Sequence, residues 1–192
     1  LADAGFEDSN GDGVLEKDGK NFEFELIYPS SNAERKDIAI AVKTDLASVG
    51  IKVEPVAKSW DEISQDLYRS NPIVVAFGSP FDPDDNNYQL WSSKFIGDGW
   101  WNPASYSNAE VDNLLEEGRR VSDKETRKEI YGKLQRIISD DQPIAFIVFC
   151  NYVYAVNDRV TGIKPRNGPH GQGTNGGIDG ELWWNVEEWQ KE

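Results

Sequence analysis

Residues 22–28 read F-E-F-E-L-I-Y, residues 51–56 read I-K-V-E-P-V, and residues 73–77, behind Pro72, read I-V-V-A-F. The first alternates apolar and charged before turning apolar, which predicts a strand with one exposed face at its start. The second alternates in the same way and predicts a second strand. The third is a short apolar run and predicts a buried central strand. Between the first two, Ser31 precedes Glu34, and Ile38, Val42, Leu46 and Val49 follow at helical spacing, with Gly50 placed to end the helix. Between the second and third, Ser59 and Glu62 open a shorter helix carrying Trp60, Ile63 and Leu67. Strand and helix alternate, so the expected fold class is α/β: a mixed sheet with parallel βαβ units flanked by helices, in a single domain over residues 1–192.

Downstream the texture changes. Residues 78–106 hold Phe81, Tyr88, Trp91, Phe95, Trp100, Trp101 and Tyr106 among Gly, Pro, Asp and Asn, without a sustained period, and read as a long aromatic loop. Ser107 with Glu110 and Ser122 with Glu125 open two more helices, the first holding Val111, Leu114 and Leu115, the second Ile130, Leu134, Ile137 and Ile138. All four helices thus begin S-x-x-E, the capping box. Residues 143–156 are almost wholly apolar and rich in β-branched and aromatic side chains, which predicts a long strand. The tail from Arg159 is rich in Gly, Pro and Asn and closes on Trp183, Trp184 and Trp189.

Composition narrows the function. With 34 acidic against 20 basic side chains the formal net charge is −14, and a nucleic-acid partner, which needs a basic patch, is excluded. The 1 cysteine permits no internal disulfide; Cys150 sits in the apolar run as a small core residue. No run approaches the roughly 18 apolar residues of a membrane helix, and no signal-peptide pattern is present. The chain has no methionine and opens on Leu1, which suggests a piece of a longer protein.

Three constellations could carry chemistry. Asp8-Ser9-Asn10-Gly11-Asp12-Gly13 matches the opening of a calcium loop, in which Asp8, Asn10, Asp12, the Val14 carbonyl and Asp18 would supply oxygens to a structural calcium ion. The position where a full loop places its bidentate Glu is Gly19, and a polar turn is the competing reading. Catalysis has little support: His170, the 1 histidine, lies in Pro169-His170-Gly171, away from any nucleophile motif. Asp82, Asp84 and Asp85 offer paired carboxylates for a glycosidase, a distant alternative. The aromatic loop carries a third signal, since aromatic faces beside short polar groups make a platform for a small ligand.

The order of these pieces resembles the second lobe of the family 5 extracellular solute-binding proteins, the peptide and nickel receptors of ABC importers. The resemblance rests on L-A-D-A-G-F, D-S-N-G-D-G-V-L-E-K-D-G-K, F-E-L-I-Y-P-S, A-S-V-G-I-K-V-E-P-V, W-D-E-I, F-G-S-P-F-D-P-D, Y-S-N-A-E-V-D-N-L-L-E-E-G-R, R-K-E-I-Y-G-K-L-Q-R-I-I, D-D-Q-P-I-A and V-Y-A-V-N-D-R-V-T-G-I-K-P, across roughly residues 1–165. It implies one lobe of a bilobed periplasmic-binding-protein type II-like receptor that is not an enzyme. The N-terminal lobe, a signal peptide and a lipid anchor would lie upstream, the tail from about residue 160 packing toward the missing lobe. It implies an extracytoplasmic location, in the periplasm or as a cell-surface lipoprotein, and ABC permease subunits as partners. The ligand-binding residues it implies, with the aromatic signal, are Gly78, Ser79, Phe81, Asp82, Trp100 and His170. Ser79 replaces the aspartate that grips a dipeptide's ammonium in the family, and Pro29–Asn32 holds no counterpart of the arginine those receptors place after the first strand. The implied ligand is therefore a longer peptide or another small solute. A nickel chelate with His170 completing its coordination is the alternative.

Overall fold

The computed structural model describes residues 1–67, 72–75, 82–148, 155–164 and 183–191. Contacts within the chain gather into two compact units, Leu1–Val75 and Ala76–Glu192.

In the first unit, β1 (Glu16–Lys17) and β2 (Lys20–Asn21) form an antiparallel ribbon, and β3 (Glu23–Pro29) pairs in parallel with β4 (Lys52–Lys58). On the other side of β3, Ile27 bridges Ile73 in parallel, its N–H donating to the Pro72 carbonyl at 2.8 Å and its carbonyl accepting from Val74 N–H at 2.9 Å. Among the described residues β3 therefore has a neighbour on each side, β4 and the start of the strand expected at 72–77, of which residues 76 and 77 lie outside the described residues. Both faces of β3 become covered. Leu26 packs with Ala39 of α1 (Ala33–Ala47), and Ile27 packs with Ile63 of α2 (Trp60–Asp66) and with Leu67. That is why the strand alternates at its start and turns apolar at its end. Pro55 lies in β4, whose one partner among the described residues is β3, as suits a proline at a sheet edge.

Gly50 is needed twice over. Its φ is +80°, and a Cβ there would stand 2.7 Å from Leu15 Cγ, while its carbonyl accepts from Leu15 N–H at 2.8 Å. It ends α1 and seats the ribbon. Val49, expected on the apolar stripe, is exposed, since the helix stops at Ala47 before the stripe reaches it.

The second unit is built on α4 (Ala109–Arg120) and α5 (Lys124–Asp141), whose Val111, Leu114, Leu115, Ile130, Tyr131, Leu134 and Ile138 share one core. Leu90 and Trp91 of α3 (Asn87–Trp91) complete it. The aromatic stretch is thus partly helical, with a further 3-10 turn at Ser93–Phe95. Asn87 holds that helix at both ends: its Nδ2 donates to the Pro83 carbonyl at 2.6 Å, and its Oδ1 accepts from Trp91 Nε1 at 2.8 Å. β5 (Val160–Thr161) and β6 (Gln190–Lys191) form a short antiparallel pair.

Of the four S-x-x-E boxes, α2 forms its box completely, with Ser59 and Glu62 bonding reciprocally. The other three helices start one residue later, on Asn32, Asn108 and Asp123, each accepting a first-turn backbone N–H. The reason is local: Asn or Asp follows Ser at all three, caps at least as well, and takes the place; Trp follows Ser59 and cannot. The long strand expected at 143–156 is not formed over those of its residues that are described. Residues 143–148 and 155–157 are not strand, and residues 149–154 lie outside the described residues. Phe146, Ile147 and Val148 are 60%, 55% and 61% exposed. Strand propensity needs a neighbour to pair with, and none occurs there among the described residues.

Candidate functional site

Gly78, Ser79, Phe81 and His170 lie outside the described residues, as does Cys150. Asp82 and Trp100 are described. Trp100 is exposed, in a turn closed by the Trp101 N–H donating to the Asp98 carbonyl at 3.2 Å.

Asp82 begins the segment D-P-D at 82–84, and α4 and α5 hold this segment through its carboxylates. Asp82 Oδ1 accepts from Asp84 N–H at 2.8 Å and from Arg127 Nη2 at 3.0 Å. These two donors hold the Asp82 carboxyl below its usual range, the backbone N–H contributing most. Asp84 Oδ1 accepts from Tyr131 Oη at 3.0 Å, and Oδ2 pairs with Arg119 Nε at 3.2 Å. Burial, and then the bond to Asp84, push the Tyr131 hydroxyl up to about 12. Arg119 also lies 3.9 Å from the Tyr88 ring centroid, close enough for a cation–π contact. Tyr88 Oη in turn donates to Glu116, which Lys94 and Arg120 also hold; hydrogen bonds from Lys94 and Tyr88 bring the Glu116 carboxyl down to about 2.

Close packing makes the clamp specific. Arg127 Nε donates to the Gly118 carbonyl at 3.0 Å, and a Cβ on Gly118 would meet the Tyr131 ring at 2.8 Å, so only glycine lets the two helices approach here. Asp82 and Pro83 also line one part of an open groove of about 1290 Å³ along α5. Asp82 is tied to α5 through Arg127. Arg119, Arg127 and Tyr131 do not stand out by motif. Their signal is cations and a tyrosine hydroxyl at helical positions opposite an acidic D-P-D.

A buried polar residue completes the unit. Asn102 is 0% exposed; its Nδ2 donates to the Ser92 and Tyr106 carbonyls and its Oδ1 accepts from Tyr106 N–H, so all its bonding groups are engaged.

The acidic loop of the first unit closes on its own backbone. Asp8 accepts from the N–H groups of Gly11, Asp12 and Gly13, Asn10 from Asp12 N–H, and Asp12 from Val14 N–H. Glu16, not among the expected oxygens, joins by accepting from Ser9 and Asn10. Asp18 sits in the β1–β2 turn with φ +53°. Among the described residues no group of three or more His, Cys, Asp or Glu gathers as a metal set.

Comparison with known proteins places these units. The family model described as bacterial extracellular solute-binding proteins, family 5 Middle, matches residues 1–109. Oligopeptide-binding protein AppA of Bacillus subtilis is 33% identical over 168 residues, 85% of this chain and 30% of AppA. The structure of AppA in complex with a nonapeptide superposes at TM-score 0.70 with 28% identity, covering 100% of this chain and 36% of that one. The structure of NikZ from Campylobacter jejuni in complex with Ni(L-His) superposes at TM-score 0.72 with 30% identity, covering 99% and 37%. The chain therefore spans about a third of the length of these relatives. The α/β fold and the family both follow: this chain belongs to the bacterial extracellular solute-binding proteins, family 5.

Proposed function

We propose that this chain is the C-terminal lobe of a receptor that captures peptides, or peptide-like solutes, outside the cytoplasm and delivers them to an ABC permease. The observation that carries this reading is the likeness across nearly the whole chain to AppA, whose structure holds a nonapeptide. The receptor closes on its ligand by bringing this lobe against an N-terminal one, with Gly78, Ser79, Phe81, Asp82 and Trp100 as the proposed ligand contacts. Closure is favoured by as much as the ligand prefers the closed state. No helix among the described residues is long and apolar enough to cross a membrane. Anchoring at the surface would come from a lipid on the upstream part.

No reaction is assigned. A glycosidase acid needs a raised pKa, whereas Asp82 is held below its usual range, and Asp84 pairs with Arg119. A nickel chelate is the second reading, favoured by the fit to NikZ with Ni(L-His). Calorimetric titration of the ligand-free full-length receptor with an oligopeptide series and with nickel–histidine separates the two. Saturable heat from peptides alone is expected; heat from the nickel complex alone would replace the first reading by the second.

A further inference from the structure

Arg35 stands in the first turn of α1 with 7% of its surface exposed. Its backbone N–H donates to the Asn32 side chain, yet its buried Nη1 has no hydrogen-bond partner and no carboxylate pairs with it among the described residues. Such a group is costly, because a buried guanidinium needs an anion or several acceptors to replace its hydration. Burial holds the Arg35 pKa below the ordinary arginine value, and Glu34 opposes that only in part. In a chain with 34 acidic side chains, the missing partner is not a matter of supply.

The position of Arg35 says what it can take. α1 begins beyond the carboxyl end of β3 and α2 beyond the carboxyl end of β4, so both helix N-termini stand at one end of the parallel strands. The guanidinium joins them, lying 5.1 Å from the ring centroid of Trp60, the first residue of α2. The chain runs from β3 to β4 on one side, then on to residues 72–75 on the other side of β3. The carboxyl end of β3 is therefore a switch point, where open α/β sheets take their ligands. The positive end of the α1 dipole adds to the field there.

We infer that Arg35, backed by Trp60, receives a carboxylate of the captured solute at the carboxyl end of β3. A carboxylate matches the planar fork of a guanidinium, and the indole face holds that fork in plane. The inference rests on the proposed solute-capture function, and the carboxylate is either a peptide's C-terminus or an acidic side chain.

The test titrates the ligand-free full-length receptor with a neutral oligopeptide as free acid and as C-terminal amide, and with an amidated peptide carrying one Glu or one Gln. In the wild type, loss of the recognised carboxylate weakens binding roughly 10- to 100-fold. A drop on amidation assigns the C-terminus; a drop on exchanging Glu for Gln assigns the side chain. Arg35→Met erases the difference and, without ligand, melts at or above the wild type, because it removes an unpaired buried charge. Arg35→Lys keeps the charge without the fork and retains part of the preference. Equal wild-type binding of all forms overturns the inference and leaves the peptide reading standing, as does a preference that survives in Arg35→Met. A lower melting point in Arg35→Met makes Arg35 a structural residue and also overturns it. Binding of none of these peptides by the wild type ends the peptide reading itself, and the inference with it.

Discussion

Arg119 and Arg127 in the second unit and Arg35 in the first carry the same guanidinium in opposite circumstances. The first two are partly exposed and each is tied to a carboxylate, Asp84 and Asp82 respectively. Arg35 is nine-tenths buried and has no carboxylate partner among the described residues. A cation with an in-chain partner holds structure together, whereas a desolvated cation without one leaves room for a partner from outside. Removing the first kind should therefore cost stability, and removing the second should not.

The largest effect sets the scale for packing alone. Leu115 is 0% exposed in the α4–α5 core, and Leu115→Ala is expected to cost about 2–5 kcal/mol in urea unfolding. Asp84→Ala comes next, at about 1–3 kcal/mol, because it strips acceptors from Tyr131 and Arg119 together. A loss no larger than the error of the measurement would erase the contrast between paired and unpaired arginines. Tyr131→Phe removes one hydroxyl and should cost about 1 kcal/mol. It should also flatten the alkaline limb: Tyr131 is raised to about 12, so its contribution is complete below the ordinary tyrosine value near 10 and is lost as pH rises through about 12. Asp8→Ala removes the acceptor of three loop N–H groups and is expected to cost about 1 kcal/mol at an exposed site. Millimolar calcium distinguishes the two readings of that loop: a rise in wild-type melting that Asp8→Ala lacks assigns a cation, and no rise leaves the carboxylate to the backbone alone. The smallest effect lies in acid. Glu116 is lowered to about 2, so its contribution is present above the ordinary glutamate value near 4.5 and fades as pH falls through about 2. Glu116→Gln should remove that part of the acid slope.

Much of the first unit is legible in residues 22–67, because β3, β4 and α2 each carry one dominant period and one end signal. The second unit yields less. α3 spans 5 residues, too few for a helical period to show, and its two-ended hold by Asn87 is a tertiary fact. The displaced caps at Asn32, Asn108 and Asp123 follow from Ser standing beside a better competitor, a rule that residue types alone could have supplied. Residues 143–148 mislead because apolar, β-branched composition reports a taste for pairing and cannot provide the partner strand. Of the residues expected to bind ligand, Asp82 is legible as a position, but its ties to Arg127 and to Asp84 N–H require the fold. Arg35 did leave a trace: it falls on the stripe of Ala39, Val42 and Leu46, a charge where α1 otherwise buries apolar surface.

The most direct test of solute capture is mass spectrometry of whatever is released on denaturing the full-length receptor purified from its own host. A set of peptide masses bearing free carboxylates is expected, near one equivalent per receptor. Recovery of nickel with a small chelator, and no peptide, would contradict peptide capture.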